Sequence, residues 1–256
     1  EIIRPVDQIR SAFLSEAEMI RFVDGIYVTI ENEMKLAEED LVNAACATAI
    51  AADIQGGQVR NLLTEYNTIH SDAPITDEDV ALSDPDFLKY ASKEIRKTIK
   101  FMRKMSTAFN VLGHKTFTPE DRLVCEVLTE MASAMDTYLE SDTFHKELVA
   151  LPAYDEVPFW QFQGQSGGAF GDTSKIDITN EGLVTATNLT GNVSDSGIVA
   201  FVHDIEHVAA CFGHMRTWEK YNERDDVYVH GENARKGYAV DLRQNGVVFQ
   251  VKYVAP

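Results

Sequence analysis

The chain has 256 residues, 45% of them apolar and 25% charged, enough to build a real core and too balanced for a disordered chain. Its formal net charge is −18, which sets its surface against phosphate backbones and argues against sequence-specific DNA or RNA binding. No apolar run reaches the roughly eighteen residues of a membrane span, and three scattered cysteines (Cys46, Cys125, Cys211) form no C-x-x-C pair, as expected of a reducing cytoplasm or of no redox role.

No signal peptide opens the sequence, and a start at Glu1 rather than Met leads to the expectation of upstream residues, lost by processing or by disorder. The first fifteen residues, EIIRPVDQIRSAFLS, read as an extended segment leading into a helix near Ser15. Ile26, Ile30, Met34, Ala37, Leu41, Ala44 and Thr48 then recur three or four apart and predict one apolar stripe on a long helix. A helix from about Tyr27 to Asp53 would be about 40 Å long, with an alanine-rich end, NAACATAIAAD, and Gly56-Gly57 as its stop. Such a stripe needs an equally long cover.

Residues 58 to 84 read as polar and turn-rich. Asp84-Pro85 starts a second helix, because Asp caps and Pro suits the first helical position. Its buried side is Leu88, Ala91, Ile95, Ile99 and Met102. The rest is basic: Lys89, Lys93, Arg96, Lys97, Lys100, Arg103 and Lys104 stand against Glu94 alone. A solvated face is the plain reading of that stretch, and contact with an acidic neighbour is the sharper one. Thr118-Pro119-Glu120-Asp121 resembles a capping box. RLVCEVLTEMASAMDTYL then reads as a strand followed by a helix. From Val157 onward short apolar runs (IDI, LVTAT, GIVAFV, DVYV, YAVDL, GVVFQVKYV) alternate with Gly, Asn and Asp, the texture of strands and turns. Helices early and strands late predict an α+β chain.

Two motifs carry possible chemistry. His203-x-x-Glu206-His207 has the spacing of an inverted zinc-protease site, two imidazoles for metal and a carboxylate base. Yet SGIVAFV runs into His203 as a strand would, and Asp204 is a natural N-cap for a short helix after it. A strand-turn-helix corner is the better account, with a zinc-dependent hydrolase as the rival. Gly164-Gln165-Ser166-Gly167-Gly168 matches a nucleophile elbow, but GGAFGDTSKIDIT after it cannot start the helix an elbow requires. A loop is the better reading, and no catalytic, cofactor-binding or metal residue is assigned. Trp160, Trp218, Tyr221 and Tyr228 read as core or interface residues. WEKYNERDDVYVHGENARKGYAVD, charged yet punctuated by aromatics, reads as strand with one face exposed or meeting a neighbouring subunit.

The order of these parts resembles a known family. An extended arm enters a long helix with an alanine-rich end. F-W-Q-x-x-G follows, then GIVAFV ending in an Asp corner, TWEKYNERDDVYVHG, a glycine-tyrosine turn and NGVVFQV. Together they resemble the major capsid proteins of tailed bacteriophages, in which an Asp-Lys-Asp-Ala corner often follows the strand that Gly197 to His207 resembles. The resemblance implies a non-enzymatic shell tile with no cofactor. Residues 1–23 would be the return limb of an extended loop and the entry to a peripheral domain. Residues 24–60, with a spine helix, and 215–240, a long strand, would form the peripheral domain; 61–214 and 241–256 would form the axial domain. Implied partners are copies of itself in pentamers and hexamers, portal, scaffolding and decoration proteins, and enclosed double-stranded DNA. The implied location is the virion, after assembly in the host bacterial cytoplasm. An encapsulin-type compartment shell is a close variant of the same reading.

Overall fold

The computed structural model describes residues 2–5, 16–139, 153–161, 169–179, 191–225 and 227–255. They fall into two compact units: residues 1–42 with 210–239, and residues 43–209 with 240–256.

The first unit is built from long elements. Strand β1 (Ile2–Pro5) pairs antiparallel with β9 (Val227–Val240), and β9 lies between β1 and β8 (Val208–Asn222). Residues 215–240 therefore form two strands joined at Glu223–Asp225, where a single long strand was expected. Helix α1 (Glu16–Gln55) supplies its first 27 residues to this unit. It starts eleven residues before the expected Tyr27, because EAEMIRFVDGI is mostly good helix former and tolerates Gly25 in open space. Tyr27 donates to Glu219 (3.4 Å) and Lys236 to the carbonyl of Ala37 (3.4 Å), tying helix to strands. A Cβ at Gly231 would stand 2.6 Å from the Trp218 ring, so the indole packs directly on the β9 backbone.

The second unit holds the core. Its sheet runs β2 (Val59–Asn61), β10 (Gly246–Gln250), β7 (Ile198–Asp204), β3 (Leu123–Leu128), β4 (Asp155–Val157). The central strands are antiparallel to each other, and the short edges β2 and β4 pair in parallel with β10 and β3. All seven residues of β7 and all five of β10 are buried, which is why GIVAFV and GVVFQ read as continuous apolar runs. A separate antiparallel pair joins β5 (Ile176–Thr179) to β6 (Asn192–Asp195). Trp160 is buried beside it and donates to the Ile198 carbonyl (2.8 Å), a core role.

Helices pack on that sheet. The alanine-rich end of α1 is buried nearly all round: Ala45, Ala47, Ala49, Ile50, Ala51 and Ala52 are each at most 1% exposed. The expected single stripe thus holds only for the first part of the helix; Ala44 is exposed, while small side chains let residues 45–52 be enclosed. Gly57, at φ +81°, ends the run as expected. Helix α4 (Pro85–Met102) begins where Asp84 accepts from the Asp86 amide (3.0 Å), with Pro85 in the first turn, and buries Leu88, Ala91, Ile95, Ile99 and Met102 together with Phe87.

Residues 58–84 contain more structure than their polarity suggests. Helix α2 (Leu62–Ile69) is capped by Asn61 and buries Leu62, Leu63 and Tyr66, and α3 (Glu78–Ser83) is capped by Asp77. Strand β2 exists only because β10 pairs with it, a signal no local pattern carries. The capping box at Thr118 does not form: its hydroxyl accepts from Asn245 (3.1 Å), and Pro119 opens a single 3₁₀ turn without a side-chain cap. Beyond it, β3 gives way to α5 (Thr129–Ala134), the expected strand then helix. Residues 164–168, with the G-x-S-x-G match, lie outside the described residues.

Candidate functional site: the 203–207 corner and the basic helix

The HDIEH stretch is a turn between two strands, not a strand-turn-helix corner. β7 ends at Asp204, residues 205–207 turn, and β8 starts at Val208. Asp204 explains the difference. Its carboxylate accepts from Arg122 (3.1 and 2.7 Å) and from the Glu206 amide (3.0 Å), while the His207 amide donates to its carbonyl (2.8 Å). These bonds close a tight turn in place of a first helical turn. The Ile205 amide also donates to the Arg122 carbonyl (2.8 Å), so Arg122 holds the turn from both main chain and side chain. The Asp204 carboxylate in turn keeps the guanidinium charged and raises its already high pKa.

The histidines are brought close, with ring centroids 6.0 Å apart, but three of their four nitrogens are hydrogen-bonded elsewhere and only the buried Nε2 of His203 has no partner among the described residues. His203 is buried, stacks on Phe201 and donates Nδ1–H to the Asp204 carbonyl (2.8 Å). Burial, reinforced by neighbouring His207, pushes its pKa down to about 4, so it stays neutral. His207 is fully enclosed and uses both nitrogens, Nδ1 toward the Asp241 carbonyl (2.9 Å) and Nε2 toward Asp53 Oδ2 (3.1 Å). Burial alone would lower its pKa, but the Asp53 carboxylate and the Asp241 carbonyl outweigh burial and raise it, favouring imidazolium. An imidazolium has no lone pair for a metal. Glu206 points outward to Arg122 (2.7 Å) and Gln244 (3.2 Å). His203, Glu206 and His207 thus serve three different contacts, and the group His207 needs is Asp53 at the end of α1.

Asp53 was the residue missed in the sequence. Its signal was a lone carboxylate closing the otherwise uncharged, alanine-rich NAACATAIAAD, which demands a partner once buried. Gly246 makes room for the pair: a Cβ there would lie 2.2 Å from Asp53 Oδ2 and 2.9 Å from His207 Nε2. The corner therefore fastens α1, β7 and β10 together. Nearby, burial pushes the Cys46 and Cys125 thiols up to about 12, leaving them inert.

The second feature is α4. Lys89, Lys93, Lys97 and Lys100 recur on one face and, with Ser92, Arg96 and Phe101, line an open concavity of about 510 Å³. Glu94, the single acid of that stretch, is 4% exposed and spent internally on Arg60 (2.9 Å) and Lys97 (3.0 Å). Burial would raise its carboxyl, but those two cations hold it below the ordinary range. Lys89 pairs with Asp86 (3.7 Å) and Arg103 with Glu120 (2.6 Å), and the exposed surface of the helix still carries more cations than acids in an acidic chain.

The fold is that of phage head proteins. A chain in the capsid structure of Staphylococcus phage Andhra superposes with a TM-score of 0.59 at 12% identity, covering 98% of this chain and 69% of that one. A chain from the structure of the head fiber and inner core protein gp22 of native bacteriophage P68 gives 0.56 at 13% identity, with the same coverages. A search of curated protein sequences gave no match. The family described as Phi29-like phage major capsid protein matches residues 2–250, and the chain belongs to that family. Its role is structural and non-enzymatic, as part of the virion.

Proposed function

We propose that this chain is the repeating tile of an icosahedral phage head, assembling into pentamers and hexamers around double-stranded DNA. One observation carries the reading. Among the described residues of the first unit, Ile30 is the sole buried large hydrophobic, whereas Val28, Leu36 and Val42 on the same helix are 54%, 62% and 47% exposed. A long helix that turns Val28, Leu36 and Val42 outward is covered by other copies, and reuse of one surface around symmetry axes supplies them.

In this reading α1 is the spine helix. Residues 1–23 are the loop's return limb, 24–60 and 215–240 form the peripheral domain, and 61–214 with 241–256 form the axial domain around the five-fold and six-fold axes. The division of the chain into an extended unit and a cored one supports a tile of this kind. Portal, scaffolding and decoration proteins are its further partners, and assembly takes place in the host cytoplasm. Electron microscopy of purified chain tests the reading: uniform closed shells support it, and persistent monomers at high concentration reject it.

A further inference from the structure

We propose that the cationic concavity on α4 of one copy receives the acidic stretch Glu31–Asp40 on α1 of a second copy. The inference rests on the shell-tile reading and names a contact within it.

The argument is charge bookkeeping on a chain of net charge −18. Copies with that charge repel unless cationic surface is concentrated where a neighbour can reach it. Residues 89–104 hold seven of the 23 basic residues; their lone acid, Glu94, is buried against Arg60 and Lys97 with Lys93 4.0 Å away, and Asp86 and Glu120 from outside the stretch pair with Lys89 and Arg103, which leaves the face net positive. Lys93, Lys97 and Lys100 are exposed on the resulting face, and Phe101, 53% exposed, adds an apolar anchor at its end.

The complementary feature is as concentrated. Between residues 31 and 40 lie Glu31, Glu33, Glu38, Glu39 and Asp40, against Lys35 alone. All five carboxylates are exposed, and among the described residues none of them is engaged in an ion pair or hydrogen bond. Leu36, 62% exposed, stands between Glu33 and Asp40 at helical spacing, so the stretch matches the concavity in apolar character as well as in charge.

The other dense acidic stretch, residues 72–86, is a poorer occupant because its carboxylates are largely used at home. Asp77 and Asp84 cap helices, Glu78 accepts from the Tyr253 amide (3.1 Å) and Asp86 pairs with Lys89 (3.7 Å). Rim charges of this sort set partner choice and register more than raw affinity, which suits a shell that must correct errors as it closes.

The test is a charge swap in assembly reactions where the wild type forms shells. Lys93→Glu with Lys100→Glu spares the Lys97–Glu94 bond and removes the longer Lys93–Glu94 contact (4.0 Å); Glu38→Lys with Asp40→Lys reverses the other side. Each reversal alone should raise the chain concentration needed for shells about tenfold, and the chain carrying both should return toward wild type. A single reversal without effect, or a double reversal no better than the singles, overturns the contact. Unchanged empty shells that merely retain less double-stranded DNA would also overturn it, by making nucleic acid the occupant. Thermal unfolding of each variant checks the fold, and Lys93→Gln with Lys100→Gln, which should give a smaller rise, serves if the reversal unfolds. Failure of the wild type itself to form shells would instead remove the underlying reading.

Discussion

The two units of this chain solve burial in opposite ways. The second encloses β7 and β10 completely and wraps them with the alanine end of α1 and the apolar side of α4. Among the described residues of the first, Ile30 is the one large hydrophobic that is buried, while Val28, Leu36 and Val42 on the same helix are exposed. The contrast shows that length and regularity of elements do not measure a core. The second unit carries the stability of the isolated chain, and the first carries surface to be covered by others.

Substitutions in the two units should therefore behave differently. Phe201→Ala, in the middle of β7, should lower unfolding free energy by about 3–5 kcal/mol in denaturant titration. His207→Leu should cost a similar amount, about 3–5 kcal/mol, because the buried Asp53 would lose its partner. Asp53→Asn with His207→Leu should recover part of that loss, a cycle that measures the pair directly.

The sheet also sets a pH dependence. Glu126 on β3 is pushed up to about 7 by burial, with the Asp155 carboxylate adding to it. A carboxyl raised on folding stabilises fully below its ordinary value near 4.5 and loses that contribution as pH climbs through about 7. The drop amounts to about 3 kcal/mol. His207, also raised from 6.5, acts in the same direction and fades as pH rises through its folded value. Midpoints should fall from pH 5 to pH 8, and Glu126→Gln should flatten much of that slope. The smallest effect belongs to the first unit: Leu36→Ala should change monomer stability by no more than about 0.5 kcal/mol while making shell formation measurably harder.

Much of the fold was legible where local signals and burial agree. Asp84-Pro85 and the spacing of Leu88 to Met102 define α4, and GIVAFV and GVVFQ announce the two central strands. The capsid resemblance rested on the order of such pieces. Illegible parts were those decided by tertiary partners. β2 depends on β10, Thr118 is taken by Asn245 instead of capping, and the corner closes as a turn because Arg122, 82 residues earlier in the chain, occupies Asp204. The HDIEH match was legible as residues but not as chemistry, since the partner that defines His207 is Asp53, 154 residues away.

Hydrogen exchange on the free chain and on assembled shells tests the central claim most directly. Amides of residues 16–42 and 210–239 should exchange readily in the free chain and become protected in shells, while those of β7 and β10 stay protected in both. Equal protection of the first unit in the free chain and in shells would contradict the account, because it would show that unit already buried without its neighbours.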